Sequence, residues 1–138
     1  MKKMKRTGIY KGSNVEFNPH TMTATSYDWW HFLRQVGPVL VFNHYSYSMS
    51  TNRHQSKVRG ALRELGISPD LEIEAPGGLQ KYDWISESVA HYQEKIESVR
   101  AAMAKGRKSK IPEREETIRH YAGKIAQLKM LEACAVAS

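Results

Sequence analysis

Residues 43–59 bring three cations (Arg53, Lys57, Arg59), two tyrosines (Tyr45, Tyr47), several hydroxyls including Thr51, and two histidines (His44, His54) into one short segment. These groups can hold an anion. Guanidinium and ammonium groups form charge-assisted hydrogen bonds to phosphate oxygens, and aromatic planes accept a nucleobase. Arg53 and Lys57 are four apart, so a helix would put them on one face. A nucleotide or a phosphodiester asks for this combination. Tyr45, Tyr47, Thr51, Arg53, His54, Lys57 and Arg59 are therefore the first candidate ligand-binding residues.

The same segment is poor in catalytic chemistry. His44-Tyr45-Ser46 and His54-Gln55-Ser56 both fit His-x-Ser. The pattern resembles the paired motifs of the 2H phosphoesterases, where two histidines act as general acid and base across a phosphate. In that family the motifs lie on separate strands, far apart in sequence. Here they are ten residues apart and the second falls in a helix. No Gly-x-Ser-x-Gly elbow is present. His91 and Glu94 are three apart, but two ligands do not make a metal site, and there is no His-x-x-x-His pair. The chain is read as a binder, not an enzyme, with no metal and no cofactor.

Two further groups stand apart from this segment. Lys105, Arg107, Lys108, Lys110 and Arg114 place five cations within ten residues, suited to the phosphates of a polynucleotide or of a small nucleotide. Tyr82 and Trp84 follow the Gly77-Gly78 break. They fit core or interface packing, or alternatively a stacking platform.

The elements that must position these groups follow from pattern. Residues 7–26 read as a β-hairpin around the Asn18-Pro19-His20 turn. Ser26 or Asp28 can cap a short helix over 29–36, with Trp29, Trp30, Phe32 and Leu33 inward and Gly37-Pro38 ending it. Residues 38–47 are the best strand, an apolar run that predicts a central position covered on both faces. Residues 50–65 read as a helix capped by Ser50 or Thr51 and ended by Gly66. A short strand alternates over 71–74. Pro76-Gly77-Gly78 then closes an α+β core of residues 1–78.

Residues 79–138 read as a different object. Ile85, Val89, Tyr92, Ile96, Val99 and Met103 keep a heptad spacing, as do Ile118, Tyr121, Ile125, Leu128 and Leu131. Two helices of about 22 residues, about 33 Å each, make an antiparallel hairpin. The expected fold is α+β: a small antiparallel or mixed sheet with two short helices, then a long C-terminal helical hairpin. Such seams need more cover than a small core gives, which predicts a homo-oligomer held by the C-terminal helices.

Composition bounds the function. The chain has 138 residues and a net charge of +7. Residues 1–13, 41–66 and 100–138 carry +5, +3 and +5, and residues 67–99 carry −5. A basic surface of this kind favours anionic partners. The longest apolar run, 37–42, is far short of the ~20 residues that span a bilayer. The basic start has no apolar stretch behind it, so it is not a secretory signal, and one cysteine excludes a disulfide framework. A soluble protein in a reducing cytoplasm, without a membrane partner, is expected.

A small basic α+β core followed by two long helices resembles a family of phage proteins, the Thoeris anti-defence nucleotide sponges. The resemblance implies a non-enzymatic protein that sequesters cyclic ADP-ribose-type signals or cyclic oligonucleotides in the host cytoplasm. It implies that the helical hairpins build the oligomer and that ligand binds between protomers. Tyr82, Trp84 and His91 would then serve the base, and Arg53, Lys57, Arg59 and Arg107 the phosphates. The several histidines and the second run of hydroxyls depart from the family. The competing reading is a nucleic-acid-binding module that uses the basic arm and the hairpin tip.

Overall fold

The computed structural model describes residues 10–12, 14–106 and 108–137. The chain divides into two compact units, the first ending at Trp84 and the second beginning at Ile85. The break therefore falls later than Pro76-Gly77-Gly78. Hydrogen bonds explain the difference: Leu79 N donates to His31 O (2.8 Å), Arg34 Nη1 to Leu79 O (2.8 Å) and Trp30 Nε1 to Pro76 O (3.1 Å). These bonds lash residues 76–79 to the sheet, and Leu79 is fully buried.

The first unit is α+β. Its strands are β1 (Tyr10–Lys11), β2 (Val15–Asn18), β3 (Thr23–Ser26), β4 (Trp30–Val36), β5 (Val39–Asn43) and β6 (Leu71–Ile73), with helix α1 (Met49–Glu64) between β5 and β6. They form one mixed sheet in sequence order, antiparallel throughout except for the parallel pair β5–β6. A parallel neighbour needs a crossover, and α1 supplies it. Val58, Ala61 and Leu62 of α1 pack against Phe17, Phe32, Leu33, Phe42 and their neighbours on one sheet face.

Residues 29–36 are not a helix: Trp29 ends a turn at 27–29, and Trp30–Val36 is strand β4. The misleading spacing has a cause. Thr25 pairs with His31 and Ala24 with Leu33, so Phe32 is an extra residue in a β-bulge. A bulge sets two residues against one and breaks the period of two. Trp30, Phe32 and Leu33 are consequently all buried, in a spacing that mimics a helix face.

The apolar run of β5 behaves as its sequence dictates: Leu40, Val41, Phe42 and Asn43 are all buried. The strand stops at Asn43, short of Tyr47. There the Asn43 side chain takes over from the ladder. Its Oδ1 accepts from Ala75 N (2.9 Å) and Tyr45 N (3.1 Å), and its Nδ2 donates to Ala75 O (2.8 Å).

The second unit is a helical pair, α2 (Trp84–Lys105) and α3 (Ile111–Ala137), with a 3₁₀ turn at Lys108–Lys110. Tyr92 packs on Tyr121 at 5.6 Å and Arg114 Nη1 donates to Ala102 O at 2.5 Å, which fixes the antiparallel register. Tyr92, Ile96, Leu128 and Leu131 of the two seams are buried, whereas Val99, Met103 and Ile118 are only half-covered. Among the described residues no helix is long and apolar enough to cross a membrane.

Candidate functional site

The site is built where β5 hands over to α1. Gln55 Nε2 donates to Asn43 O (2.8 Å) and Tyr45 O (3.1 Å), tying the exit of the strand to the second turn of the helix. The helix begins earlier than the Ser50 or Thr51 cap predicts. Ser48 is the cap, extended at φ −160° and ψ 168°, and its Oγ accepts from Thr51 N (3.1 Å). Gly66, at φ 69°, ends the helix, with Ile67 N bonded to Leu62 O (2.9 Å) and Gly66 N to Arg63 O (3.0 Å). That pair of bonds is the Schellman closure.

Ser50, Arg53 and Lys57 recur at three and four residues on one side of α1, the side away from Val58 and Leu62. Together with His54, Asn14 and Tyr27 they enclose a cavity of about 200 Å³. Arg53 and Lys57 also border a second, more open concavity of about 440 Å³, with Met49, Asn52 and Ser56. The two cations thus stand on a ridge between two hollows. Among the described residues neither has a carboxylate within salt-bridge distance. The first turn of α1 holds no acidic residue, so no negative side-chain charge within it offsets the positive end of its dipole.

The walls are held from behind. Ser26 Oγ lies 2.7 Å from His54 Nδ1 and 3.4 Å from Thr51 Oγ1, all three residues being buried. The Tyr27 ring stands 5.4 Å from the His54 ring. Ser26 orients the imidazole. With its hydroxyl buried, it is not placed as a nucleophile.

The sequence candidates separate on this geometry. Arg53, His54 and Lys57 line one cavity. Thr51 is buried and braces the cap. Tyr47 stands just before the cap, half-exposed, while Tyr45 packs partly into the core. Arg59 is committed elsewhere: its Nη2 meets Glu72 Oε1 at 2.5 Å and its guanidinium lies 4.0 Å over the Phe42 ring. Tyr82 is fully exposed ahead of α2. Trp84 is 3% exposed, so its ring faces are covered and it is no stacking platform. His91 belongs to the second unit, with its ring 5.6 Å from Tyr92. Arg107 lies outside the described residues. Among the described residues no three His, Cys, Asp or Glu side chains converge as a metal site would require.

Sequence reasoning missed Asn14, Tyr27 and Ser50. Asn14 and Tyr27 come from turns, at φ 61° and 56°, and Tyr27 N donates to Asn14 O (2.7 Å). The Tyr27-Asp28 pair would have signalled a hairpin turn had the next segment been read as a strand. No family model, curated protein or solved structure matches the chain.

Proposed function

We propose that this chain is a non-enzymatic binding protein that sequesters a small nucleotide-like anion, in the manner of the sponge family it resembles. The observation that carries the reading is the Arg53–Lys57 ridge. Two cations one helical turn apart, without an acidic partner among the described residues, flank a cavity at the start of a helix with no acidic residue in its first turn. Phosphate oxygens complement that arrangement in charge and in hydrogen bonding. The half-covered apolar positions Val99, Met103 and Ile118 support a homo-oligomer through the C-terminal helices.

Calorimetry with mononucleotides, cyclic dinucleotides and cyclic ADP-ribose isomers tests the reading. Arg53→Ala and Lys57→Ala each weaken binding by roughly 1.5–3 kcal/mol if they bond to phosphate. Heating the complex releases the ligand unchanged. Tight binding to DNA or RNA with no heat from any small nucleotide would transfer the site to the nucleic-acid reading.

A further inference from the structure

The cavity beside Arg53 is small. At about 200 Å³ it falls below the ~300–1,000 Å³ of pockets that enclose a whole small ligand. It can take the charged end of a molecule, and the remainder must lie outside. Exposed aromatic rings flank the same helix start. Tyr27, Trp29 and Tyr47 are 45%, 50% and 52% exposed, far from the burial such rings normally find.

Their arrangement is specific. The turn at 27–29 straddles the beginning of α1. Tyr27 reaches His54, one turn inside the helix, and Trp29 reaches Tyr47, just ahead of the cap. The Trp29 and Tyr47 rings are 6.0 Å apart at 81°, so they form a corner with a floor and a wall. Tyr47 is backed by the buried Trp30 at 5.7 Å, whose indole N–H is bonded to Pro76 O. The turn that presents Trp29 holds Tyr27 and Asp28 at φ 56° and 65°. That region costs a residue such as Tyr27 roughly 1–2 kcal/mol and Asp28 less, and Asn-Gly would relieve the strain. Strained residues that persist point to a task for the side chains they display.

We propose that the corner formed by Trp29 and Tyr47 is a base-stacking subsite. The ligand is a small nucleotide whose phosphate lies on the Arg53–Lys57 ridge and whose base lies outside the cavity against these two rings. The proposal rests on the anion-binding reading and adds to it the part of the ligand that the cavity leaves out. Charge complementarity fixes the phosphate end, and the half-exposed rings of Trp29 and Tyr47 offer aromatic surface to the base end. Sequence pattern offers Tyr47 to a base but not Trp29, which it places inward on a helix.

The test uses the whole protein with AMP, cyclic ADP-ribose and ribose 5-phosphate as probes. Trp29 is the only exposed tryptophan, Trp30 and Trp84 being 1% and 3% exposed. Base-bearing probes should therefore quench tryptophan emission and ribose 5-phosphate should not. Trp29→Ala should weaken base-bearing probes about ten- to a hundredfold, leave ribose 5-phosphate unchanged, and be rescued by Trp29→Phe. Arg53→Ala should weaken all three. Unchanged AMP and cyclic ADP-ribose affinity in Trp29→Ala overturns the stacking subsite while the anion site stands. Unchanged affinity in Arg53→Ala, with loss in Trp29→Ala, overturns the anion site instead. Binding of none of the probes overturns both. An altered molecular mass of Trp29→Ala without altered nucleotide affinity would make the corner a contact between copies. Affinity that keeps rising with each nucleotide added to a single-stranded oligonucleotide would replace the small ligand with a polymer.

Discussion

Asn43→Ala should be among the most damaging single changes outside the aromatic core. Asn43 is fully buried and its side chain makes three hydrogen bonds to backbone. Truncation leaves them with different fates. Ala75 O keeps a second donor, Gly78 N at 2.9 Å, so its loss is partial. Ala75 N has no such reserve and becomes a buried, unsatisfied donor, which costs about 1–3 kcal/mol. The other two bonds contribute roughly 0.5–1.5 kcal/mol each. The expected loss is about 3 kcal/mol, a large part of the ~5–15 kcal/mol of a whole domain. Urea unfolding followed by emission of the buried Trp30 measures it. A loss below about 1 kcal/mol with an unchanged m-value would refute the claim that this amide continues the ladder. Asn43→Asp should also destabilise, because a carboxylate oxygen then faces Ala75 O in a buried position.

Three further outcomes are expected. Ser48→Ala should cost about 1 kcal/mol by removing the acceptor for Thr51 N, and Ser48→Asp should retain most of that stability. Burial, and secondarily the charge of Arg34, holds His31 below the ordinary imidazole value of 6.5. Above that value both states are neutral and His31 favours neither. As the pH falls below it, the unfolded chain takes up the proton first and stability is lost until the folded value is passed. The urea midpoint should drop from pH 7 to pH 5, and drop less in His31→Asn; an equal drop would remove His31 from the account. Ile96→Glu should place an unpaired charge at a buried seam position and unfold or dissociate the helical pair, seen as loss of helical circular dichroism or of mass. A monomeric mass for the unmodified protein at micromolar concentration would refute the oligomer.

The sequence was most legible where one period ruled a whole element. The run at Val39–Asn43 reads as a covered strand because every residue is apolar up to the asparagine. Val58 and Leu62, with Gly66 beyond them, identify α1 and its end, and the heptads identify α2 and α3. Legibility failed where a local irregularity changed the period. The bulge at Phe32 turned strand spacing into helix spacing, and that single misreading buried Trp29 on paper and hid the Tyr27-Asp28 turn. Arg53, His54 and Lys57 were legible as neighbours because they lie on one helix, and they line one cavity. Asn14 and Tyr27 were not, because only the folded sheet brings two distant turns to that helix. Arg59, four residues before Arg63 and two after Lys57, shows the limit of counting charges: its partner, Glu72, is not on the helix but on strand β6.

Strand order that matches sequence order also sets an order of events. Among the described residues no antiparallel pair of the sheet joins positions more than 11 apart, as in Val15 with Ser26, whereas the parallel pair joins Val41 to Leu71 across 30. Short closures form early and the long one late. On the ribosome, where the chain emerges from its N-terminus, every wall of the cavity, from Asn14 to Lys57, is available before β6 has been synthesised. The bonds between Asn43 and Ala75 then close over an assembly already in place. They act as a latch on the escape rate: weakening them should hasten unfolding while refolding keeps nearly its original speed.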